Sequence, residues 1–362
     1  MKIDGQIISY QEVVDGVEVE RDNYKIAVYA LASPRKDALL CNPFTTSMAR
    51  PMLYLQKVEG VVAGRMMFFS SRFYNGLEII ESCGASSLEV HEKYKDLNIG
   101  ADLAMFPVFQ MNNKILIYAD FSGEGLAACR ALKFKIFTMP KYLYFIHSAS
   151  LFESIGIKGI IGKILSRTTD RLLSLYRHAL DFFEFSARDY VIEKVSVVPE
   201  WVDDIVLKDG HKYMEVHDHN WFQWNLDNMF HSHDKNKNEF YIIKKNGENV
   251  GFFMTKTRFA DKSKKGLSSI IFGGIMEWGT KNTSVLLEYQ IYKLALSTFK
   301  SDVDFVAMAI QDADVQKKMK KHFILRRGDH SIAFKDVKKQ YKDAANQELW
   351  RLRYGYGDSI LN

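Results

Sequence analysis

The stretch that decides the fold runs from Leu88 to Leu103 and reads Leu-Glu-Val-His-Glu-Lys-Tyr-Lys-Asp-Leu-Asn-Ile-Gly-Ala-Asp-Leu. A β-like run ends here, a short polar loop follows, and a helix is expected to begin at Gly100 or Ala101. The first N–H groups of a helix have no partner within it, and the helix dipole favours negative charge there. Asn98 is, after glycine, the residue type best suited to a positive φ. The loop therefore predicts a phosphate or pyrophosphate site, although most strand–loop–helix turns bind nothing.

The composition is typical of a globular protein. Of the 362 residues, 47% are hydrophobic, 26% are charged and 13% are aromatic, which is enough material for two cores. The net charge of +5 favours an anionic ligand only weakly. We interpret the lysine clusters at 262–265 and 317–321 as solvated surface, and we expect no nucleic-acid partner.

The cysteines and the first residues indicate a reducing compartment. Cys41, Cys83 and Cys129 are odd in number and far apart, which argues against a disulfide scaffold or a cysteine zinc site. Residues 1–6 are polar, and no apolar run reaches the roughly 18 residues that span a bilayer. We therefore expect a cytoplasmic protein with no membrane span and no metal. The oligomeric state is not readable from the sequence.

Hydrophobic periodicity predicts alternating strands and helices in the first part of the chain. Strands are expected at 24–31, 52–58, 61–70, 76–80, 85–90 and 115–119, with a tight turn at Glu59-Gly60. Helices are expected at 100–112, where Pro107 predicts an early end or a kink, and at 123–132. A last strand pair is expected at 134–138 and 142–146.

Two amphipathic helices are expected next, at 151–164 and 171–185, with lysines and arginines on their outer faces. A basic amphipathic helix can lie on a membrane surface. Our interpretation is that these helices link and brace two domains, with the membrane surface as the alternative.

The second half repeats the order hairpin, strand, helix, strand, helix, strand. The expected elements are a hairpin at 239–257 around Asn246-Gly247, a strand at 267–277, a helix at 282–299, a strand at 304–310, a helix at 313–321 and closing strands at 323–334. Asn282 or Thr283 is expected to cap the longer helix. The pattern predicts an internal duplication of architecture.

This order, with the loop, resembles the GNAT acetyltransferases, which use acetyl-CoA. Their motif is a Gln or Arg, two residues, a Gly, one residue, then a Gly or Ala, set between a strand and a helix. The segment from Lys95 to Gly100 matches it, with Lys95 in place of the Arg or Gln and Asn98 in place of the first Gly. Cys129 stands where the family has the tyrosine that acts as its usual general acid.

The resemblance implies an α/β fold of two GNAT-like domains, each a central mixed sheet flanked by helices. Residues 1–147 would form the acyl-CoA-binding domain, 148–190 a helical linker, and 191–362 a degenerate copy with a closing tail. The segment 278–282 stands where the second phosphate loop should lie and carries no matching motif. The tandem arrangement resembles the Fem-type aminoacyl transferases and related double-GNAT acyltransferases.

The activity implied is transfer of an acyl group, acetyl by default, from acyl-CoA to a small-molecule or peptide amine bound between the domains. The residues expected to hold the CoA are Leu88, Val90, Lys95, Asp96, Leu97, Asn98, Ile99, Gly100 and Ala101. Two alternatives stay open: a Fem-type aminoacyl transferase that uses charged tRNA, and a non-catalytic binding protein on a GNAT fold.

The reaction needs a neutral amine, a polarised carbonyl and a proton for the leaving thiolate. Glu81 and Glu89 are candidate general bases by position, provided that desolvation raises their pKa towards neutrality. Cys129 is a candidate acid, or a small buried residue that fills a helix–sheet interface.

A loose cluster of histidines fits no metal motif: His211, His217, His219, His231 and His233. Trp221, Phe222 and Trp224 lie in the same stretch. We expect this aromatic stretch to pack in the core or to line an acceptor cleft.

Overall fold

The computed structural model describes residues 2–19, 31, 33–111, 114–119, 122–157, 159–183, 189–228, 233–261 and 269–357. The strands are β1 (Ile3–Ser9), β2 (Pro51–Val58), β3 (Val61–Tyr74), β4 (Ile79–Val90), β5 (Ile115–Ala119), β6 (Lys135–Phe145), β7 (Tyr190–Val195), β8 (Met214–Glu215), β9 (Lys237–Lys245), β10 (Glu248–Ala260), β11 (Ile270–Thr280), β12 (Phe305–Ala309) and β13 (Ile324–Asp336).

The helices cover the two faces of the sheet. They are α1 (Tyr10–Val14), α2 (Ser33–Leu40), α3 (Ile99–Phe109), α4 (Gly123–Ala131), α5 (Ala149–Ser154), α6 (Gly159–Phe183), α7 (Trp201–Leu207), α8 (His219–Asp227), α9 (Glu288–Ser297) and α10 (Ala313–Lys320). The expected mixed α/β class is confirmed.

One mixed sheet runs through both halves of the described chain, in the order β1-β2-β3-β4-β5-β13-β6-β12-β11-β10-β9-β7, with β8 beside β3. The last strand of each half is inserted into the other half. β13 lies between β5 and β6, with Phe334 opposite Ile117 on one side and Phe137 opposite Ile332 on the other. β6 in turn pairs with β12. Since one sheet crosses the boundaries at 147 and 190, the division into two domains stays a prediction about chain segments.

The element order of the first half recurs in the second, as the sequence predicts. β4 and β5 are parallel, and so are β11 and β12. The two expected hairpin turns are confirmed by positive φ at both central residues, 50° and 78° at Glu59-Gly60 and 52° and 84° at Asn246-Gly247. The strands expected at 76–80 and 85–90 form one strand, β4, and the one expected at 24–31 lies almost entirely outside the described residues.

Two predicted breaks in the chain are wrong. The strand pair at 134–138 and 142–146 is one strand, β6, which continues through Pro140. Proline has no N–H for the ladder, and β13 shifts its register between Arg326 and Asp329 opposite it. The break expected between the helices at 151–164 and 171–185 is absent, because α6 continues from Gly159 to Phe183, whereas the first residues of the earlier helix belong to α5. The middle of α6 is anchored by Ser148, whose backbone N–H donates to Asp170 at 2.8 Å.

The helix expected at 282–299 begins six residues later, at Glu288, and ends at Ser297. The predicted caps are wrong, because the Asn282 side chain accepts from Ser284 N at 2.8 Å and closes a turn of its own. Instead, the side chain of Gln290, inside the helix, accepts a hydrogen bond from the backbone N–H of Leu287, the residue before the helix.

The closing tail after β13 is part of the core. The Trp350 ring is fully buried and lies 4.7 Å from the Phe334 ring and 5.0 Å from the Phe137 ring. It also lies 5.5 Å from the ring of Phe73, on β3, so aromatic packing joins strands from both halves.

Candidate functional site

The predicted phosphate loop has the backbone that its sequence indicates. A 3-10 turn at Glu92–Leu97 follows β4, and Asn98 takes the left-handed conformation, with φ 58° and ψ 14°. The helix α3 begins at Ile99, one residue before the expected start. Asn98 O accepts from Ala101 N at 3.0 Å and from Asp102 N at 3.2 Å. The amides of Ile99 and Gly100 are therefore the ones at this helix start best placed for an external acceptor.

The space beside Gly100 is open. A Cβ built on Gly100 would meet the Cγ2 atom of Val90 at 3.5 Å, an ordinary contact. The glycine is thus not required by the packing of the protein itself. Lys95 and Asp96 are exposed at the same end of α3, and Leu97 is half-buried.

A bulge interrupts β4 just before this loop. Arg65 lies opposite Glu89 and Met67 opposite Ser86, so Met66 alone faces both Ser87 and Leu88. Ser87 has a positive φ of 53°. Such a bulge bends the strand and leaves ladder groups unpaired. Backbone atoms of β4 are therefore turned away from β3 at Leu88.

The bulge lies where β4 separates from β5. The two parallel strands share a single pair, Cys83 opposite Leu116, in the described chain. Beyond it a cavity of about 310 Å³ opens between the strands, flanked by α3 and α4. Its walls are largely apolar and include Met66, Leu88, Ala104, Tyr118, Cys129 and Phe134. Leu88 is therefore the one predicted CoA-holding residue in this lining, and the others lie at the end of the same strand, in the 3-10 turn and at the start of α3.

Tyr118, on β5, is a cavity residue that the sequence analysis missed. Its side chain is buried, and its hydroxyl has no hydrogen-bond partner among the described residues. Burial raises the pKa of this phenol well above its usual value of 10, and the nearby thiols Cys83 and Cys129 raise it further. Tyr118 is consequently a neutral hydrogen-bond donor at neutral pH. In the sequence it is one residue of an apolar strand, which gives no signal of this role.

Cys129 lines the same cavity from α4. Burial raises the pKa of its thiol to about 12, so the group is protonated at neutral pH. The side chain is 5% exposed, consistent with either of the two roles expected for it.

The two candidate bases lie outside the described lining of this cavity. Glu81 accepts from Thr46 and lies 3.3 Å from Nη1 of Arg50. Glu89 accepts from both Nε and Nη2 of the buried Arg65, at 3.2 and 3.0 Å. Their side chains are 56% and 42% exposed. Exposed, ion-paired carboxylates are the opposite of the desolvated group that a base working near neutral pH requires.

The second half has a polar cavity at the corresponding place. Its volume is about 510 Å³. It is lined by the end of β11, the loop that follows β12 and the start of α9. Glu288 is the first residue of α9, and burial raises its pKa to about 7, against the attraction of Arg353. A carboxylate at this helix start opposes phosphate binding, in agreement with the missing motif at 278–282.

The histidines do not form a common site in the described chain. His211 pairs with Asp209, and His219 lies 2.6 Å from Asp203. His217 is buried against Trp221, with the ring centroids 3.5 Å apart. His233 stacks on Phe259, and His231 lies outside the described residues. No group of three or more potential metal ligands is arranged around a common point in the ranges that the structure describes.

The aromatic residues of this stretch pack in the core. Trp221, Phe222 and Trp224 are all buried, and Trp224 Nε1 donates to Ala38 O at 2.8 Å. This outcome matches the first of the two roles expected for them.

The closing tail ends against the cavity strand. Gly357 N donates to the buried Oε2 of Glu215 at 2.7 Å. A Cβ on Gly357 would lie 2.8 Å from the backbone N of Ala119, next to Tyr118. The last described residue thus abuts β5 beside the cavity, and only glycine fits there.

Comparison with known proteins rests on structure alone. No family model matches the chain, and no curated protein matches it. Among solved structures it resembles a GCN5-related N-acetyltransferase from Anabaena variabilis, with a TM-score of 0.55 and 10% identity over 93% of this chain and 73% of that one. It also resembles Saccharomyces cerevisiae N-myristoyltransferase with bound myristoyl-CoA and inhibitors, with a TM-score of 0.59 and 13% identity over 92% and 79%.

A third similar structure is a GCN5-related N-acetyltransferase from Kribbella flavida, with a TM-score of 0.54 and 10% identity over 95% of this chain and 74% of that one. At these identities the likeness defines a fold, and that fold is GNAT-like. Within the described residues, no helix is both long and apolar enough to cross a membrane.

Proposed function

We propose that the chain is an acyl-CoA-dependent N-acyltransferase whose first half binds the CoA thioester. The observation that carries the proposal is the apolar cavity of about 310 Å³ between the bulged β4 and β5. It lies at the same end of β4 as the open start of α3, since Val90 touches the space beside Gly100. An apolar cleft that leads to a helix start suits a ligand with an apolar end and a phosphorylated end.

In this proposal the pyrophosphate lies at the amides of Ile99 and Gly100, beside Ala101. Lys95 adds a positive charge from the preceding turn. The pantetheine arm follows the backbone of Leu88 and Val90, where the bulge turns β4 away from β3. The acyl group, acetyl by default, enters the cavity. The likeness to N-acetyltransferases and to a myristoyltransferase that binds myristoyl-CoA supports this arrangement.

The amine nitrogen attacks the thioester carbon, so a C–N bond forms and the C–S bond breaks. Tyr118 donates a hydrogen bond to the carbonyl oxygen as it becomes negative, which gives its hydroxyl a partner. Cys129 supplies the proton that the leaving thiolate takes up. The proton of the amine passes to water, because Glu81 and Glu89 are exposed and ion-paired, and water returns a proton to Cys129. The acceptor approaches between the halves, beside the tail at Gly357.

Calorimetric titration of the full chain with acetyl-CoA tests the proposal, with pantetheine as the matched ligand that lacks the pyrophosphate. We expect heat and a raised melting temperature with acetyl-CoA, and weaker binding of pantetheine. No heat and no melting shift at millimolar acetyl-CoA would reject it. Binding without turnover of any amine would favour the non-catalytic alternative, and aminoacyl transfer from charged tRNA without CoA binding would favour the Fem-type alternative.

A further inference from the structure

The long helix α6 turns its polar side towards the protein. Ser166 and Arg177 are 5% and 7% exposed. Arg177 donates to Phe145 O at 2.7 Å and to His322 O at 3.1 Å. Hydrogen bonds to Phe145 at the end of β6 and to His322 after α10 therefore help to hold the helix in place.

The aliphatic side of α6 faces outward. We call the α6 stripe the row of residues Ile161, Ile164, Leu172, Leu175 and Tyr176, which share one side of the helix at spacings of three, four and eight residues. Leu175 is 72% exposed and Ile161 is 68% exposed. Tyr176 extends the stripe to Phe323, whose half-exposed ring lies 4.8 Å away. A contiguous exposed apolar surface of this kind marks an interaction site.

A basic row runs beside the stripe. Lys163, Arg167 and Arg171 are spaced four residues apart, and all three are exposed. At 100° per residue each step of four turns by about 40°, so the row winds slowly around the helix and approaches the aliphatic residues at Arg171. The outer side of α6 is therefore apolar on one flank and positively charged on the other.

We propose that α6 lies on an anionic lipid surface. The stripe enters the boundary between headgroups and acyl chains, and Lys163, Arg167 and Arg171 contact lipid phosphates. The helix is 25 residues long, about 37 Å at 1.5 Å per residue, and lies along the surface. A second copy of this chain is a poorer occupant. A two-fold contact through the helix centre would bring Arg167 and Arg171 against the same residues of the other copy.

Vesicle co-sedimentation of the full chain tests this proposal. We expect binding to phosphatidylcholine vesicles that contain phosphatidylserine, little binding to phosphatidylcholine alone, and a decrease as salt rises. The double variant Leu172→Ser with Leu175→Ser removes apolar contact, and Arg167→Gln with Arg171→Gln removes charge. Each should weaken binding by about tenfold.

Two variants serve as matched controls. Leu77→Ser removes a 93% exposed leucine from the turn after β3, and Lys2→Gln with Lys57→Gln removes two charges at the β1–β2 edge. Both should bind vesicles as the unchanged chain does. Absence of binding to anionic vesicles, or equal losses in the controls and the α6 variants, would overturn the proposal. A dimer that Leu172→Ser with Leu175→Ser converts to monomer, with no vesicle binding, would overturn it in favour of a second copy.

Discussion

Nδ1 of His217 lies 2.8 Å from Oε2 of Glu277, and both side chains are fully buried. Glu277 also accepts from Nη2 of Arg351 at 2.8 Å, and Oε2 of Glu215 lies 3.6 Å from Nε2 of His217. His217 follows β8, which pairs with β3 of the first half, Glu277 lies on β11 of the second half, and Arg351 comes from the tail. A charge-balanced network thus ties three parts of the chain together.

This network predicts a loss of stability as the pH rises. Burial lowers the pKa of His217, but Glu215 and Glu277 outweigh it and raise the pKa above 6.5. A raised folded-state pKa gives stability that is complete below the unfolded value and is lost as the pH passes through the folded value. His217→Gln should cost about 3 kcal/mol at pH 6 and flatten the stability profile above it.

Urea unfolding from pH 6 to pH 9 measures this effect. His178→Gln, at an exposed position on α6, is the control and should keep the slope of the unchanged chain. Parallel slopes for His217→Gln and the unchanged chain would show that His217 does not titrate with folding.

The exchange of β6 and β13 predicts that the halves do not fold alone. A fragment of residues 1–147 keeps β6 but loses β13 and β12, which flank it, and leaves β5 with an unpaired edge. We expect it to be unfolded or aggregated by circular dichroism and by amide dispersion in NMR. Co-expressed fragments 1–190 and 191–362 should associate and recover the folded spectrum. A dispersed spectrum from 1–147 alone would instead support two separable domains.

Gly100→Glu should abolish acetyl-CoA binding. The new side chain fills the open space at the start of α3 and places a carboxylate where the phosphates are expected. Because that space is open, the fold should persist, with a melting temperature close to that of the unchanged chain. Gly100→Ala is the control and should bind nearly as well. Calorimetry measures the affinity of each variant for acetyl-CoA. Retained affinity in Gly100→Glu would mean that the CoA site lies elsewhere.

Tyr118→Phe should lower kcat by about a hundredfold and leave the KM for acyl-CoA nearly unchanged. The hydroxyl has no partner among the described residues, so its removal should leave stability equal or slightly higher. Tyr74→Phe, on β3 outside the described cavity lining, is the matched control. Steady-state kinetics with acetyl-CoA measures kcat and KM separately. An unchanged kcat would show that Tyr118 takes no part in the reaction.

Cys129→Ala should reduce turnover and spare CoA affinity, because it removes a protonated thiol without touching the loop at the start of α3. Cys129→Ser keeps a proton on a side chain of similar size and should recover part of the rate. Steady-state kinetics measures kcat, and calorimetry measures the affinity for CoA. Full turnover in Cys129→Ala would leave this residue as packing between α4 and the sheet.

Much of the layout of the chain follows from local patterns in the sequence. The positive φ of Asn98, the two hairpin turns and the start of α3 to within one residue are examples. Such features depend on the steric preferences of one or two residues. The sequence predicted less well those features that depend on residues distant in the chain. At Pro140, for example, a register shift in β13 lets the strand β6 continue.

The residues of the candidate site also fall into those that the sequence predicted and those that it missed. The backbone of the loop at 95–101 was predicted because helix starts and left-handed residues have sequence signals. Tyr118 was missed because an unpaired hydroxyl becomes visible only when its surroundings are known. The ion pairs of Glu81 and Glu89 with Arg50 and Arg65 also join residues that are distant in sequence.

By itself, the sequence determined the alternation of strands and helices, the recurrence of one element order, and the backbone of the loop before α3. These depend on residue periodicity and on local backbone preference. Only the tertiary structure decided that β6 and β13 change places, that β4 and β5 open around Tyr118, and that α6 presents its aliphatic side outward. Strand edges and helix faces pack against residues that are distant in the sequence. A local pattern of residues does not indicate which distant residues these are.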